Sequence, residues 1–334
     1  MKKIVVIALL IVITGYVFAA GKSEAGAGGA VEIKFAHYLA ESHPAHDAAL
    51  AFAKAVNERT DGIVTVTIFP NSMLGNSQEL VEQTTNGALD LVIPTEPAIA
   101  KYVKKFNMVG APFAFKDYAA TDKLFAGDFI KWVTPDLEDV GLKYLARWEY
   151  GFRNYTTSVH QINTPADMQG LKIRTPPDFV NSATVKALGG VSQTIAFTEL
   201  PMALKQGVVD GQENPIATIL TNKMYETQKY LSMVNYTYNS THLLMNIDKF
   251  KSLSAKQQKI ILEEAEKAGL AMQKAVREKE ADQIKELEAQ GMEVAYPDTK
   301  PFITAAAPVY EELKAQVGEA DFDYYMDLLG KSRR

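Results

Sequence analysis

The sequence predicts an α/β protein of two lobes that are joined as a hinged clamp. Predicted strands and helices alternate along most of the chain from Val31 onward, which is typical of α/β layers with a mostly parallel sheet. A length of 334 residues is long for one core and suits two domains. A helical segment of about 36 residues near the C-terminus would be longer than one small lobe is wide. The chain would therefore cross between the lobes more than once, as in a hinged clamp.

Residues 31–150 contain most elements of the predicted first lobe. Apolar alternation indicates the strands, and capping residues, glycines and prolines mark the helix ends. The predicted strands are 31–37, 61–70, 88–94 and 142–150, and the predicted helices are 42–59, 76–87 and 121–141.

A second α/β unit is predicted to begin near Gly151. Its predicted strands are 152–158, 171–175 and 208–212, and its predicted helices are 178–190 and 197–207. In the strand 171–175 the alternation turns Arg174 away from the core of its own lobe. Pro176 and Pro177 stiffen the exit of this strand. A solvated strand end and a rigidly mounted binding residue both fit the stretch 170–179.

The last third of the chain predicts how the lobes are connected. Ser254 and Gln257 form a capping box, and apolar or small residues recur at helical spacing as far as Gln290. Gly269 leaves open the alternative of two shorter helices. With a long strand at 235–247, this pattern divides the chain into a first lobe of 31–150 plus 239–278 and a second lobe of 151–238 plus 279–334.

The N-terminus has the pattern of a secretory signal. Lys2 and Lys3 precede an apolar run over 4–18, and small residues follow. We expect a signal peptide over 1–19 with cleavage near Ala19, a flexible tether over 20–30 and a periplasmic location. A single membrane anchor is the alternative, but the run is shorter than the roughly 18–20 apolar residues of a span. The chain has no cysteine to carry a lipid.

Composition and motifs exclude several classes of function. The net charge of −5 and the absence of a Lys/Arg run give no basic footprint for nucleic acid. No nucleophile elbow, phosphate loop or His-Glu-x-x-His motif is present. His37, His43 and His46 resemble a metal cluster, but capping at a helix start explains this stretch. We therefore expect no cofactor, no metal and no catalytic residue.

The arginines favour a binding site for a carboxylate. Only seven of the 35 lysines and arginines are arginine, yet Arg147, Arg153 and Arg174 fall around the predicted lobe boundary. A guanidinium matches a carboxylate in two parallel hydrogen bonds, which an ammonium does not. The polar run 210–215 after an apolar pair is a second candidate, because Pro215 holds Asn214 extended. An ordinary loop cap is the alternative for that run.

Four motifs together resemble a known family. The stretches 69–94, 151–158, 162–177 and 196–215 are similar to those of the solute-binding proteins of tripartite ATP-independent periplasmic (TRAP) transporters, of the C4-dicarboxylate- and sialic-acid-binding type. The resemblance covers roughly 31–315. It implies a two-lobed periplasmic-binding-protein fold of the Venus flytrap type, with mixed sheets and a long helix through both lobes.

The resemblance also implies a function and a site. Such a protein closes on an organic acid and delivers it to a membrane permease. Arg174 would form two parallel hydrogen bonds to the ligand carboxylate, and Arg153 would be a second contact to a carboxylate or hydroxyl group. Asn214 would complete this group of polar contacts. Phe197 would pack on the ligand. A guanidinium whose orientation is fixed before the ligand binds would explain why two prolines stiffen the strand end at Arg174.

The first lobe would provide selectivity, and its match to the family is looser. The corresponding positions are His37, Tyr38, Asn76 and Thr95 or Glu96. Trp148 could stack on a sugar ring or lie in the core. These groups suit a hydroxylated acid, so we expect a sugar acid such as a uronate or aldonate. The alternatives are a C4-dicarboxylate, a sialic acid or a keto acid.

Two other functional classes stay open at this point. A secreted carbohydrate-active enzyme could use a carboxylate pair such as Glu149 and Glu213. A sensory protein could present the bound acid to a receptor instead of a permease, since both roles need only a surface that changes on closure. We expect a monomer in either case.

Overall fold

One mixed β-sheet extends through both lobes of the computed structural model, which describes residues 29–333. Within this part of the chain the strands are β1 (Val31–His37), β2 (Val64–Phe69), β3 (Leu91–Ile93), β4 (Leu142–Thr157), β5 (Lys172–Thr175), β6 (Val191–Thr194), β7 (Gly211–Asn214), β8 (Tyr230–Asn246) and β9 (Glu293–Ala295). Their order is β2-β1-β3-β8-β4-β7-β5-β6, and β9 pairs with β8. The predicted signal peptide and most of the predicted tether lie outside the described residues.

The long antiparallel strands β4 and β8 connect the two lobes. They pair from Leu142 opposite Asn246 to Thr157 opposite Tyr230. The parallel strands β1–β3 lie on one side of this ribbon and form the first lobe, and the parallel strands β5–β7 lie on the other side and form the second. The separate strands predicted at 142–150 and 152–158 are therefore one strand. Gly151, with φ +116°, sits at a register shift between them rather than at a break.

Helices cover the sheet of each lobe. They are α1 (Pro44–Arg59), α2 (Ser77–Thr85), α3 (Glu96–Ala100), α4 (Tyr118–Ala126), α5 (Phe129–Asp139), α6 (Phe179–Ala187), α7 (Leu200–Lys205), α8 (Ile216–Thr221), α9 (Ile247–Ser252), α10 (Ala255–Ala289), α11 (Lys300–Ala306), α12 (Val309–Val317) and α13 (Glu319–Ser332). The single helix predicted over 121–141 is two helices, because Gly127 ends α4.

The helix α10 spans both lobes, as predicted. Its capping box of Ser254 and Gln257 is present, and its 35 residues run without a break. Its first part packs in the core of β1 and α1 through residues such as Ile261, and its last part packs in the core of α7 and α8 through Leu287. The alternative of a break at Gly269 is wrong. A Cβ there would lie 2.5 Å from the carbonyl oxygen of Arg147, so this glycine permits close packing on β4.

The C-terminal helices return from the second lobe to the first. The helix α11 packs on α6, α12 contacts α6, and α13 packs on α4. Tyr325 and Leu329 of α13 share a core with Leu124 and Phe129. The C-terminal end therefore packs with the first lobe, whereas the predicted division placed 279–334 in the second. The chain thus makes one more crossing than the sequence pattern indicated.

Candidate ligand-binding site

A cavity lies between the lobes at the carboxyl ends of the parallel strands, where α/β proteins bind ligands. The cavity has a volume of about 90 Å³. A single water needs roughly 10–15 Å³, so the cavity has room for a small organic molecule. Seven of the nine predicted binding residues line this cavity: Tyr38, Asn76, Glu96, Arg153, Arg174, Phe197 and Asn214.

Arg174 is buried in the cavity wall without an acidic partner. It lies on β5 and is 2% exposed. Its Nε donates to the carbonyl oxygen of Ile195 at 2.9 Å, which fixes the plane of the guanidinium. Within residues 29–333 nothing accepts a hydrogen bond from its two terminal nitrogens. Burial lowers the pKa of Arg174 to about 10, so the group is still cationic at neutral pH.

Arg153 is buried as well, but Glu213 neutralises it. Its Nε and Nη2 donate to the two carboxylate oxygens of Glu213, and Nη2 also donates to the Glu213 carbonyl oxygen at 2.8 Å. Tyr236 donates to the same carboxylate at 2.7 Å. Arg153 lies on β4 and Glu213 on β7, opposite Tyr155 of β4. The two arginines therefore differ in electrostatic state, because only Arg174 lacks an acidic partner.

Asn214 is held in the cavity by three neighbours. Its side-chain oxygen accepts from the Tyr150 hydroxyl at 2.9 Å and from Arg153 at 3.3 Å, and its amide nitrogen donates to Gln212. Tyr150 also lines the cavity and lies 5.6 Å below the Arg153 guanidinium. Asn214 thus links the paired arginine to an aromatic wall.

On the first-lobe side, β8 holds the carboxylate of Glu96. Glu96 is 2% exposed at the start of α3. Asn239 donates to one of its oxygens at 2.7 Å, and Ser240 donates to the other. His242 lies 3.4 Å from that second oxygen, and burial lowers the pKa of this histidine. The wall facing the arginines therefore presents a fixed acceptor.

Asn76 combines a structural and an exposed polar group. Its side-chain oxygen caps α2 by accepting from the backbone nitrogens of Gln78 and Glu79 at 3.0 and 3.2 Å. No described residue accepts from its amide nitrogen. Because the cap fixes the oxygen, the amide nitrogen is left as a donor in the cavity wall.

Aromatic and polar contacts close the cavity across the lobes. Tyr38 follows β1 and Phe197 follows β6, and their rings meet edge to face with centroids 5.8 Å apart. Gln78 of the first lobe donates to the carbonyl oxygen of Pro177 of the second at 3.2 Å. The Arg174 guanidinium lies 5.8 Å from the centre of the Phe197 ring. This arrangement is a closed clamp.

Trp148 and His37, also predicted as binding residues, do not line the cavity. Trp148 is fully buried and donates to the carbonyl oxygen of Ala265 at 3.1 Å, which leaves its ring in the core against α10. His37 is buried, and its Nε2 lies 3.1 Å from Nδ1 of His46 of α1. Burial lowers the pKa of His37 to about 4.

The histidine stretch does not form a metal site in the described part of the chain. His43 caps α1 by accepting from the backbone nitrogen of Ala45 at 3.1 Å. Within 29–333, no three His, Cys, Asp or Glu side chains come close enough to hold a metal ion.

Asn239 lines the cavity but was missed by sequence reasoning. It lies in β8, whose segment 235–242 consists of tyrosines and polar residues and is mostly buried. Polar residues in a strand that is buried on both faces indicate a site, because buried polar groups need partners. That pattern was the signal available in the sequence.

The comparison with known families matches most of the chain. The family model of bacterial extracellular solute-binding proteins, family 7, matches residues 35–316. The chain belongs to this family. It is a TRAP-type solute-binding protein and not an enzyme. The carboxylates of Glu149 and Glu213, which an enzyme could have used, are instead bound to Arg277 and Arg153 and lie outside the cavity lining.

Three relatives of this solute-binding protein are named for a sugar acid or were solved with one. The 2,3-diketo-L-gulonate-binding periplasmic protein YiaO of Escherichia coli is 32% identical over 79% of this chain and 81% of its own. The sugar acid binding protein of Advenella mimigardefordensis, solved with galactonate, is 32% identical with a TM-score of 0.88, over 91% and 99% of the two chains. A TRAP protein of Roseobacter denitrificans with β-D-glucuronate is 28% identical with a TM-score of 0.86, over 89% and 98%.

Proteins of this type bind small organic acids and work with TRAP permeases. Within 29–333, no helix of this solute-binding protein combines the length and the apolar character required to cross a membrane.

Proposed function

We propose that this protein captures a hydroxylated monocarboxylate, a sugar acid of the uronate or aldonate type, and delivers it to a TRAP permease. The observation that carries the proposal is the buried Arg174 guanidinium without an acidic partner. A buried charge is costly unless it is paired. A ligand carboxylate that accepts two parallel hydrogen bonds from the terminal nitrogens would supply that partner.

The other second-lobe residues support the same ligand end. Arg153 and Asn214 stand beside Arg174 and would donate to a carboxylate or hydroxyl oxygen. Phe197 would pack against the ligand, since it closes the cavity against Tyr38. These roles follow the residue types that line the cavity.

The first-lobe wall favours a ligand with hydroxyl groups. Glu96 offers an acceptor and Asn76 a donor. The buried Tyr38 hydroxyl has no hydrogen-bond partner within 29–333, and it can donate or accept. Such a wall suits the hydroxyls of a sugar acid, and galactonate and glucuronate are bound by two relatives.

The route to the ligand is part of the same proposal. The N-terminal pattern of Lys2, Lys3 and an apolar run would export the chain, and cleavage near Ala19 would release a monomer into the periplasm. The closed clamp would then present a surface to the permease that the open state lacks.

A thermal-shift screen of the mature protein tests the proposal. The panel contains D-galactonate, D-glucuronate, sialic acid, succinate and keto acids, and the variants are Arg174→Ala and the control Arg59→Ala. Arg59 is a half-exposed arginine on α1, paired with Glu263 and Glu264 outside the cavity. A ligand at 100 times its Kd adds about 2.7 kcal/mol to the free energy of unfolding.

We expect a sugar acid to stabilise the wild type and Arg59→Ala but not Arg174→Ala. Stabilisation by succinate alone would keep the clamp and refute the sugar-acid assignment. No response to any acid would refute the proposed function.

A further inference from the structure

Asn239 is the one residue of the crossing strand β8 among the described residues that line the cavity. It is 4% exposed and stands opposite Gly151 of β4, beside the register shift between Glu149 and Gly151. It therefore enters the site from the ribbon that both lobes share.

The side chain of Asn239 joins an acid of one lobe to an arginine of the other. Its amide nitrogen donates to Glu96 at 2.7 Å, and its oxygen accepts from Nη1 of Arg153 at 3.3 Å. The reverse orientation of the amide would place oxygen against a carboxylate and nitrogen against a guanidinium donor. The charges on either side therefore fix the orientation of this amide.

The charges around the cavity favour a ligand with one carboxylate. Arg153 and Glu213 form a neutral pair, which leaves Arg174 as the unpaired positive group of the site and Glu96 as its unpaired negative group. Arg174 has no acidic partner, while Arg153 is bound to Glu213 through both carboxylate oxygens. A second ligand carboxylate would face Glu96 across the cavity, where like charges repel.

We infer that Asn239 is a positioning residue that sets ligand selectivity: it fixes the Glu96 carboxylate as a hydroxyl acceptor, so that the site prefers a hydroxylated monocarboxylate to a dicarboxylate. The inference rests on the proposed function. Each Glu96 oxygen already accepts from one β8 side chain and keeps capacity for another donor, since an ionised carboxylate has about four acceptor positions. Without Asn239 the carboxylate would lose one of its two fixed donors.

Calorimetric titration with three probes tests this role. D-galactonate carries one carboxylate and hydroxyls, hexanoate carries one carboxylate without hydroxyls, and succinate carries two carboxylates. The variants are Asn239→Ala and Asn239→Leu, the second of which has nearly the same size and removes the donor to Glu96 and the acceptor for Arg153 without adding a charge. The control is Thr241→Val on the same strand, because Thr241 is buried outside the cavity and its hydroxyl has no partner within 29–333.

We expect both Asn239 variants to weaken galactonate binding at least tenfold and to change succinate and hexanoate binding less than threefold. Thr241→Val should leave all three affinities unchanged. Equal losses for galactonate and succinate, or no loss for galactonate, would overturn the inference while the proposed function stands. A wild type that binds no acid overturns both.

A double-mutant cycle with Glu96→Gln separates positioning from general damage. If Asn239 acts through Glu96, the loss of galactonate affinity in Asn239→Ala plus Glu96→Gln should be smaller than the product of the single losses. Independent, multiplicative losses would overturn the inference. The melting temperature of each variant without ligand reports whether the fold is intact.

Discussion

Arg174 makes the closed protein costly without a ligand. The side chain is 2% exposed, its only hydrogen bond within 29–333 goes to the Ile195 carbonyl oxygen, and its terminal nitrogens face the cavity. Opening the clamp would return the guanidinium to water, while a ligand carboxylate would neutralise it in place. Because a ligand shifts an equilibrium only by its differential affinity for two states, we expect this single charge to couple binding to closure.

Asp178 gives the protein a predicted pH dependence of stability. It caps α6 by accepting from the backbone nitrogen of Asn181 at 2.9 Å, and burial raises the pKa of Asp178 to about 6. The unfolded value is about 3.9. The proton therefore stabilises the fold fully below pH 4, and this contribution is lost as the pH rises through about 6.

We expect Asp178→Asn to remove that contribution, because asparagine caps a helix as well as aspartate does. Urea unfolding should show that, from pH 4 to pH 7, the free energy of unfolding of the wild type falls by up to about 3 kcal/mol relative to that of the variant. Asp117→Asn, at the exposed cap of α4, is the matched control. The same pH dependence in both variants would contradict the assignment to Asp178.

At the residue scale, strand ends were predictable and side-chain directions were less so. Arg174, Phe197 and Asn214 meet because parallel strands end at one edge of the sheet. The direction of the Trp148 side chain was not predictable, since it depends on the register of β4, which turns the ring toward α10. Asn239 enters the cavity through a register shift between β4 and β8 that local patterns do not encode.

At the element scale, the long helix α10 was predictable and its contact with β4 was not. Its cap and periodicity are local features, and both are present in the structure. The role of Gly269 depends on a neighbour more than 100 residues away in sequence. A glycine that weakens a helix locally is here the condition for close packing.

Gly269→Ala should destabilise the protein although alanine favours helix. The new Cβ would lie 2.5 Å from the Arg147 carbonyl oxygen and 2.8 Å from Cδ1 of Trp148. Overpacking of this kind costs about 1–3 kcal/mol, more than the gain of at most about 1 kcal/mol in helix propensity. Chemical denaturation of the variant should show the net loss.

Gly330→Ala is the control for the glycine in α10. Gly330 also lies in a helix, α13, and a Cβ there would meet nothing within 4 Å. We expect this substitution to be neutral or to stabilise by up to about 1 kcal/mol. A stability gain in both variants would show that the helix α10 can move away from β4.

At the scale of the whole molecule, the two-lobed fold followed from length and alternation, but the number of crossings did not. The sequence pattern gave the crossings of β8 and α10. The uninterrupted β4 and the return of α12 and α13 depend on tertiary packing. Both lobes therefore share one sheet rather than two sheets linked by loops.

Closure should be visible in solution. The contacts of Tyr38 with Phe197 and of Gln78 with Pro177 require the lobes to be close. X-ray scattering of the mature protein should give a smaller radius of gyration with saturating D-galactonate than without it. Arg174→Ala should show no decrease at the same concentration. An unchanged radius in the liganded wild type would argue against a hinged clamp.

The order of site residues along the chain has a consequence for how such genes diversify. Tyr38, Asn76 and Glu96 are encoded before the codons of β4, and Arg153, Arg174 and Asn214 after its start. One recombination event between codons 98 and 142 would join the hydroxyl-facing half of one parent to the carboxylate-facing half of another. Asn239 would come from the second parent and meet Glu96 from the first. Compatibility at that contact, and at the contact of Ser240 with the same carboxylate, would then contribute to whether the hybrid acquires a new ligand.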